Sequence, residues 1–179
     1  MTRILIVDSN GPGLPALGPG FAAVLQKLSG SITCSLCAPY LGQALPDEVF
    51  DGVVFTGSAV AWCVDAPEGQ ALRDIWRQVT RWQVPIWGSC NGMQLAAFML
   101  GGICTASPHG DEEGLAEAIT LTEIGREHPM MQGRASQFLA PCVHRDEVQR
   151  LPNGALLLAG NAHSPVQAFT YETADISFW

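Results

Sequence analysis

The chain has 179 residues, the length of one ordinary domain, and can bury a hydrophobic core without needing disulfide bonds or metal ions. Nine Lys and Arg residues against seventeen Asp and Glu residues give a formal net charge of −8, which argues against the basic surface of a nucleic-acid-binding protein. Hydrophobic residues make up 47% of the chain and charged residues only 15%, which excludes intrinsic disorder and favours a compact α/β domain.

Short apolar runs alternate with helical patterns in the first half of the chain. The predicted strands are residues 4–7, 32–37, 53–55 and 84–87. The predicted helices are residues 21–28, with Gly30 as the C-cap, followed by 70–82 and 93–100. Because alternating strands and helices form right-handed crossovers, this half is expected to build a parallel sheet.

The second half is richer in strands than the first. Its strand candidates, separated by polar turns, are residues 119–121, 138–143, 155–158 and 166–169. This half is expected to extend the same sheet or to fold beside it. No linker is long enough to separate two domains, so residues 1–179 are predicted to form a single domain.

The chain shows no export signal or membrane span. The apolar run at residues 4–7 is shorter than the roughly 7–15 residues of a signal-peptide core, and no run approaches the roughly 18 residues of a membrane helix. We therefore predict a cytoplasmic protein without a membrane partner. In that reducing compartment its six cysteines are expected to be core thiols or one nucleophile; they are Cys34, Cys37, Cys63, Cys90, Cys104 and Cys142.

Residues 84–95 combine a buried strand, a Gly-x-Cys-x-Gly turn and a helix. In such a nucleophile elbow Gly88 and Gly92 remove clashes at the tight turn. Cys90 then lies at the C-terminal end of a strand and at a helix N-terminus, whose amides and dipole favour a thiolate. The amide of Asn91 is free to form half of an oxyanion hole. An inert buried cysteine in a tight turn remains the alternative.

Residues 88–95, Gly-Ser-Cys-Asn-Gly-Met-Gln-Leu, resemble the signature of class I glutamine amidotransferases, the triad type related to the glutaminase domain of GMP synthase. Residues 53–58 are similar to the family's strand and oxyanion loop, with Thr-Gly-Ser in place of Gly-Gly-Pro. Residues 144–148 resemble the family's His-x-Asp-x-Val turn, and residues 151–154 and 164–169 match the family's next two segments. The resemblance implies a flavodoxin-like three-layer α/β fold with a mostly parallel central sheet.

The resemblance also implies a reaction and a set of site residues. The reaction is hydrolysis of the glutamine side-chain amide through a γ-glutamyl thioester, without a cofactor or metal, with ammonia passed to an acceptor such as a synthase subunit. Cys90 is the implied nucleophile, and the amides of Gly57 and Asn91 hold the oxyanion. The implied substrate-binding residues are Gln94, Arg145 and Asp146.

The family takes its general base and the carboxylate that orients it from a His-Pro-Glu motif, and no His-Pro-Glu occurs in these 179 residues. Residues 174–179 resemble the strand that precedes this motif, so we expect the chain to be a portion of a longer protein. A molecule ending at Trp179 is expected to have little glutaminase activity. His128 is predicted to be a loop residue, and His163 a surface or capping residue.

Two other functions stay open: a non-catalytic amidotransferase-like binding module, and a cysteine hydrolase of other γ-glutamyl compounds. The acidic run at residues 111–113 is predicted to be solvated surface rather than a metal site. Trp76, Trp82 and Trp87 are predicted to pack in the core. For Trp62, which follows the oxyanion loop, core and pocket positions are both open.

Overall fold

The fold is taken from a computed structural model that describes residues 1–171 and 176–178, without the side chains of residues 117 and 176–178. The strands are β1 Thr2–Val7, β2 Ile32–Cys37, β3 Gly52–Phe55, β4 Ile86–Gly88, β5 Ile103–Ala106, β6 Glu112–Leu121, β7 Gln137–His144, β8 Asp146–Arg150, β9 Leu156–Gly160, β10 Ala168–Tyr171 and β11 Ile176–Phe178. The α-helices are α1 Gly18–Leu28, α2 Gln70–Val79, α3 Asn91–Met99 and α4 Glu123–Glu127.

One large sheet contains most of the strands, in the order β2-β1-β3-β4-β11-β10-β9-β6-β7. The neighbours from β2 to β11 are parallel, and those from β11 to β7 are antiparallel. Strands β5 and β8 form a separate antiparallel pair. The predicted α/β fold with a parallel sheet and a β-rich second half is confirmed. Of the predicted strand at residues 174–179, positions 174, 175 and 179 lie outside the described residues.

Helices cover both faces of the parallel part of the sheet. On one face Phe21 of α1 packs against Trp87 of β4, with ring centroids 6.0 Å apart. On the other face Phe55 of β3 packs against Trp76 of α2 at 5.4 Å. Three layers result, because successive side chains of a strand point to opposite faces. None of the helices in the described part of the chain has the length and hydrophobicity that a membrane span requires.

The ends of α1 differ from the sequence prediction. The helix begins at Gly18 rather than residue 21, because one carboxylate oxygen of Asp8 accepts hydrogen bonds from the amides of Leu17 and Gly18, each at 2.7 Å. A negative charge at a helix N-terminus is stabilising, and this one comes from the end of β1. The C-cap is Ser29, in an extended conformation, so the prediction of Gly30 was wrong.

Three short elements escape the sequence prediction, namely β5, β8 and α4. Strand β8 begins with Asp146 and Glu147, which are buried although they are acidic. A hydrophobic pattern cannot detect such a strand, because its buried positions are polar.

Candidate active site

The nucleophile elbow has the geometry that the motif predicts. Cys90 lies between β4 and α3 with φ 47° and ψ −103°. A Cβ atom at Gly88 would lie 2.6 Å from the carbonyl carbon of Gly92, and one at Gly92 would lie 2.6 Å from the carbonyl oxygen of Phe55. Both positions therefore require glycine, the first for the turn itself and the second for the contact between α3 and β3.

Two backbone amides are directed at the sulfur of Cys90, those of Asn91 and Ser58. The loop after β3 runs past the elbow so closely that a Cβ atom at Gly57 would lie 3.5 Å from the Cβ of Cys90. The predicted oxyanion residues Gly57 and Asn91 therefore both lie beside Cys90. The amide of Ser58 was not predicted, although it is adjacent to Gly57 in the sequence.

The loop after β3 is held by the segment after β1. Thr56 Oγ1 accepts a hydrogen bond from the amide of Ser9 at 2.9 Å, and Ser58 Oγ donates to the Ser9 carbonyl oxygen at 2.6 Å. Asn10 Oδ1 accepts a hydrogen bond from the amide of Ala59 at 2.8 Å. Thr56 and Ser58, which depart from Gly-Gly-Pro, thus provide hydroxyl groups that fix the loop beside Cys90.

The predicted substrate-binding residues lie together and already contact one another. Gln94 Nε2 donates a hydrogen bond to the main-chain oxygen of Asp146 at 2.6 Å. The guanidinium of Arg145 binds both carboxylate oxygens of Asp146 at 2.8 Å and donates to the carbonyl oxygen of Ala61 at 2.6 Å. Burial alone would raise the pKa of Asp146, but the hydrogen bonds and charge of Arg145 hold it below its ordinary value.

Cys90 lines two cavities, named here inner and outer, and the turn at residues 143–146 borders both of them. The inner cavity, of about 110 Å³, is also bounded by Met93, Cys142 and Gln167. The outer one, of about 210 Å³, is bounded by Trp62 and Arg145. For Trp62 the sequence left a core position and a pocket position open, and the structure places it in the pocket.

Burial has the largest effect on the thiol of Cys90 and raises its pKa, and the negative charge of Asp146 raises it further. The amides of Asn91 and Ser58 lower the pKa, as expected for a helix N-terminus, but they do not offset the burial. The thiol is 3.8 Å from the carbonyl oxygen of Val143, to which it can donate a hydrogen bond. The resting cysteine is therefore a protonated thiol at neutral pH.

Glu112 of β6 points into the protein, so the prediction that all of residues 111–113 are solvated surface was wrong. Strand alternation buries Glu112 and leaves its two neighbours exposed. Its carboxylate accepts hydrogen bonds from Asn161 Nδ2 and Gln167 Nε2, each at 2.7 Å, and lies 2.9 Å from His144 Nε2. Burial raises the pKa of Glu112, but these partners together bring it below the ordinary value.

The remaining histidines differ from each other in environment. His163, predicted to be a surface or capping residue, is partly buried, with its side chain 24% exposed and its Nδ1 3.2 Å from Ser164 Oγ and 3.6 Å from Glu112 Oε2. Within residues 1–171, His144 Nδ1 and His163 Nε2 are buried and have no hydrogen-bond partner. His128 ends α4, and its Nδ1 accepts a hydrogen bond from the amide of Met130, consistent with the predicted loop position.

The chain is similar to several known proteins. No family model matches the chain. It is 33% identical over 165 residues to a γ-glutamyl-L-1-hydroxyisopropylamide hydrolase from a Pseudomonas species, covering 89% of this chain and 56% of that protein. It is 32% identical over 130 residues to one of the subunits of the glutamine-hydrolysing GMP synthase of Ignicoccus hospitalis, covering 70% of this chain and 63% of that protein. These similarities agree with the resemblance of the sequence to class I glutamine amidotransferases.

A solved structure agrees with this assignment at the level of the fold. The glutamine amidotransferase of Thermotoga maritima superposes with a TM-score of 0.77 at 18% identity, covering 99% of this chain and 74% of that one. The chain spans between half and two thirds of the length of the Pseudomonas and Ignicoccus relatives.

The sequence did not predict three features of this site. They are the amide of Ser58, the thiol of Cys142 in the inner cavity, and the contact between His144 and Glu112. Cys142 and His144 are two residues apart in β7 and so lie on one face of the strand. That spacing was the available signal. Glu112 gave none, because its pairing with β7 is a long-range contact.

Proposed function

We propose that the chain hydrolyses the side-chain amide of glutamine, with Cys90 as the nucleophile and a γ-glutamyl thioester as the intermediate. The observation that carries this proposal is the conformation of Cys90, held at φ 47° with the amides of Asn91 and Ser58 directed at its sulfur. An inert core cysteine needs neither a strained backbone nor two amides directed at it.

The reaction follows from these contacts. The thiol of Cys90 passes its proton to a water molecule, from which the leaving nitrogen later takes one, and the thiolate attacks the carbonyl carbon of the substrate amide. The amides of Gly57 and Asn91 stabilise the resulting oxyanion, with the amide of Ser58 beside them. Collapse of this intermediate breaks the C–N bond, and the nitrogen takes up a proton and leaves as ammonia. Water then attacks the thioester, which releases glutamate and restores the thiol.

Substrate binding is assigned to the outer cavity. The α-amino group of the substrate would approach the carboxylate of Asp146, and its α-carboxylate the guanidinium of Arg145 and nearby main-chain amides. Arg145 supports this role because its side chain is 44% exposed, whereas the carboxylate beside it is largely buried. Gln94 positions the turn through its bond to the Asp146 main chain and forms part of the cavity wall.

A second candidate is hydrolysis of a γ-glutamyl amide whose nitrogen carries a larger group than hydrogen. It is favoured by the Pseudomonas relative, whose name describes such a substrate and whose match covers 89% of this chain. The GMP synthase relatives favour glutamine, and on that basis ammonia would pass to a synthase subunit. Rates with glutamine and with γ-glutamyl alkylamides, measured side by side, distinguish the two candidates.

The nucleophile is tested by alkylation with an electrophilic glutamine analogue, followed by intact mass. Alkylation does not require protonation of a leaving amine. It therefore measures the reactivity of the Cys90 sulfur whether or not a general acid is present. We expect one adduct per chain, lost in Cys90→Ser and retained in the control Cys34→Ser, which changes a strand cysteine outside both cavities. An adduct that persists in Cys90→Ser contradicts the proposal, and a wild-type chain that does not react favours the binding module.

A further inference from the structure

Two adjacent strands bring three metal-ligand side chains together beside the inner cavity. Glu112 of β6 is paired with His144 of β7 in the antiparallel register, and Cys142 lies two residues before His144. One carboxylate oxygen, the sulfur and one imidazole nitrogen all lie within 4.8 Å of one another. The proposed hydrolysis assigns no role to these three side chains.

The distances between the three groups suit a small divalent cation. Glu112 Oε2 is 2.9 Å from His144 Nε2 and 3.8 Å from Cys142 Sγ. Zinc bonds of about 2.0–2.3 Å to oxygen, nitrogen and sulfur in tetrahedral geometry place neighbouring ligand atoms roughly 3.3–3.5 Å apart. The two separations that involve Glu112 Oε2 thus differ from these values by a few tenths of an ångström, and the sulfur and the imidazole nitrogen lie within 4.8 Å of each other, so side-chain rotation is what would close the site. We propose that Glu112, Cys142 and His144 form a Zn²⁺ site.

The carboxylate is already oriented for this role. Asn161 Nδ2 donates to one oxygen of Glu112 and Gln167 Nε2 to the other, each at 2.7 Å. Hydrogen bonds of this kind hold metal ligands in position and strengthen metal binding. The side chain of Glu112 is only 9% exposed, which sets it apart from a solvated acidic surface group.

His144 and Cys142 can bind the cation while giving up few of their present contacts. Ligation by His144 Nε2 replaces its contact with Glu112, while Nδ1 has no hydrogen-bond partner in the described part of the protein. The thiol of Cys142 makes long contacts of 3.8 Å with Glu112 and Gln167. On binding, the thiol releases its proton to solvent, and the cation offsets the negative charges of the thiolate and carboxylate.

The ligand set points to zinc rather than to magnesium or calcium, which prefer oxygen atoms alone. Three protein ligands leave a fourth position for water, and His163 Nδ1 lies 3.6 Å from Glu112 Oε2. Cys142 and His144 line the inner cavity together with Cys90. If the proposed function holds, bound Zn²⁺ is expected to slow alkylation of Cys90 by narrowing this cavity.

The test uses the full chain, stripped with a chelator and titrated with Zn²⁺ against a competing chromophoric chelator. We expect one tightly bound ion per chain, and with Co²⁺ in its place a thiolate-to-cobalt charge-transfer band. Cys142→Ser is expected to abolish the band, and both Cys142→Ser and Glu112→Gln to weaken Zn²⁺ binding at least tenfold. Thermal unfolding of each variant shows that it is folded.

Two controls separate this site from other thiols and from the proposed reaction. Cys34→Ser and Cys90→Ser are expected to bind Zn²⁺ as the wild type does, although Cys90→Ser loses alkylation. Loss of the cobalt band in Cys90→Ser, unchanged affinity in Cys142→Ser and Glu112→Gln, or no binding at micromolar Zn²⁺ would each overturn the proposal. Zn²⁺ binding without alkylation by the glutamine analogue would leave the metal site standing and count against the proposed hydrolysis alone.

Discussion

The side-chain amide of Gln94 donates a hydrogen bond to the main-chain oxygen of Asp146 at 2.6 Å. Gln94 lies one helical turn after Cys90, and Asp146 begins β8, so the bond joins the helix that follows Cys90 to the turn that carries Arg145. The two halves of the site come from sequence positions 52 residues apart. A single buried amide therefore helps to set the distance between Cys90 and the proposed substrate-binding groups.

Replacing this amide is expected to weaken both stability and reactivity. Gln94→Leu leaves the Asp146 carbonyl without its donor, which costs about 1–3 kcal/mol for a buried polar group. Chemical denaturation measures this loss, and alkylation by the glutamine analogue should also slow as the turn relaxes. Gln78→Leu is the matched control, because Gln78 on α2 is exposed and its side chain, among the described residues, bonds to the carbonyl oxygen of Asp74 within the same helix. Equal effects of the two substitutions would contradict the role given to Gln94.

Gly92→Ala is expected to disrupt the elbow. The added methyl would meet the carbonyl oxygen of Phe55 at 2.6 Å, so α3 must shift away from β3. Such overpacking costs about 1–3 kcal/mol, and alkylation of Cys90 should fall with it. In Gly20→Ala the methyl meets nothing within 4 Å, and alanine in a helix is favoured over glycine by up to about 1 kcal/mol. We therefore expect the melting temperature to fall in Gly92→Ala and to rise in Gly20→Ala, relative to the wild type.

Alkylation of Cys90 should accelerate with pH across the alkaline range. Burial and the charge of Asp146 raise the pKa of the thiol, so the reactive thiolate forms only above the pH at which an ordinary cysteine ionises. Asp146→Asn removes the negative charge and should move the rate profile to lower pH. An alkylation rate that no longer rises with pH above neutrality would contradict a raised pKa of Cys90.

Asn10→Ala is expected to slow acylation with little change in substrate affinity. The side chain of Asn10 accepts a hydrogen bond from the amide of Ala59 and donates one to the carbonyl oxygen of Pro15. Removing this side chain frees the loop that carries Gly57 and Ser58. Loss of oxyanion positioning costs on the order of 10²-fold in rate when a donor is removed outright, and a displaced donor should cost less. Asn153→Ala, at an exposed turn, serves as the control. A change confined to KM would count against the role given to Asn10 in positioning this loop.

Acid should destabilise the protein partly through Glu112. The pKa of Glu112 in the folded protein lies below the ordinary value of 4.5. The ionised carboxylate therefore stabilises the folded state fully above the pKa of the unfolded chain, and this stabilisation is lost as the pH falls through the pKa of the folded protein. The free energy of unfolding should therefore decline below about pH 4.5 less steeply in Glu112→Gln than in the wild type. Denaturation at a series of pH values, with a chelator present, measures the two slopes. Parallel slopes would show that Glu112 does not contribute.

Local patterns in the sequence predicted the elbow well, because its requirements are contained in five consecutive residues. Gly88, Cys90 and Gly92 each take the place that the motif assigns, and the flanking strand and helix exist. The start of α1 was missed because its cap, Asp8, is ten residues away from Gly18. The buried position of Glu112 was missed because its partners, Asn161 and Gln167, lie about fifty residues away. Contacts between distant segments leave no local pattern to read.

The raised pKa of Cys90 shows a second limit of sequence reasoning. The helix N-terminus predicts a thiolate, and its effect is present, but burial determines the sign of the shift. Burial depends on how the second half of the chain covers the elbow, which the motif alone does not contain. The charge of Asp146 reaches the thiol in the same way, across the cavity rather than along the chain.

The position of β11 in the sheet bears on the order in which the protein can fold during synthesis. Residues 176–178 are inserted between β4 and β10, so they join the strand that carries Cys90 to the antiparallel half. Until that segment leaves the ribosome, β4 presents an unpaired edge, and the two halves of the large sheet have no strand between them. The nascent chain therefore exposes a hydrophobic strand edge from the synthesis of β4 until that of β11, a state open to mispairing and to recognition by chaperones.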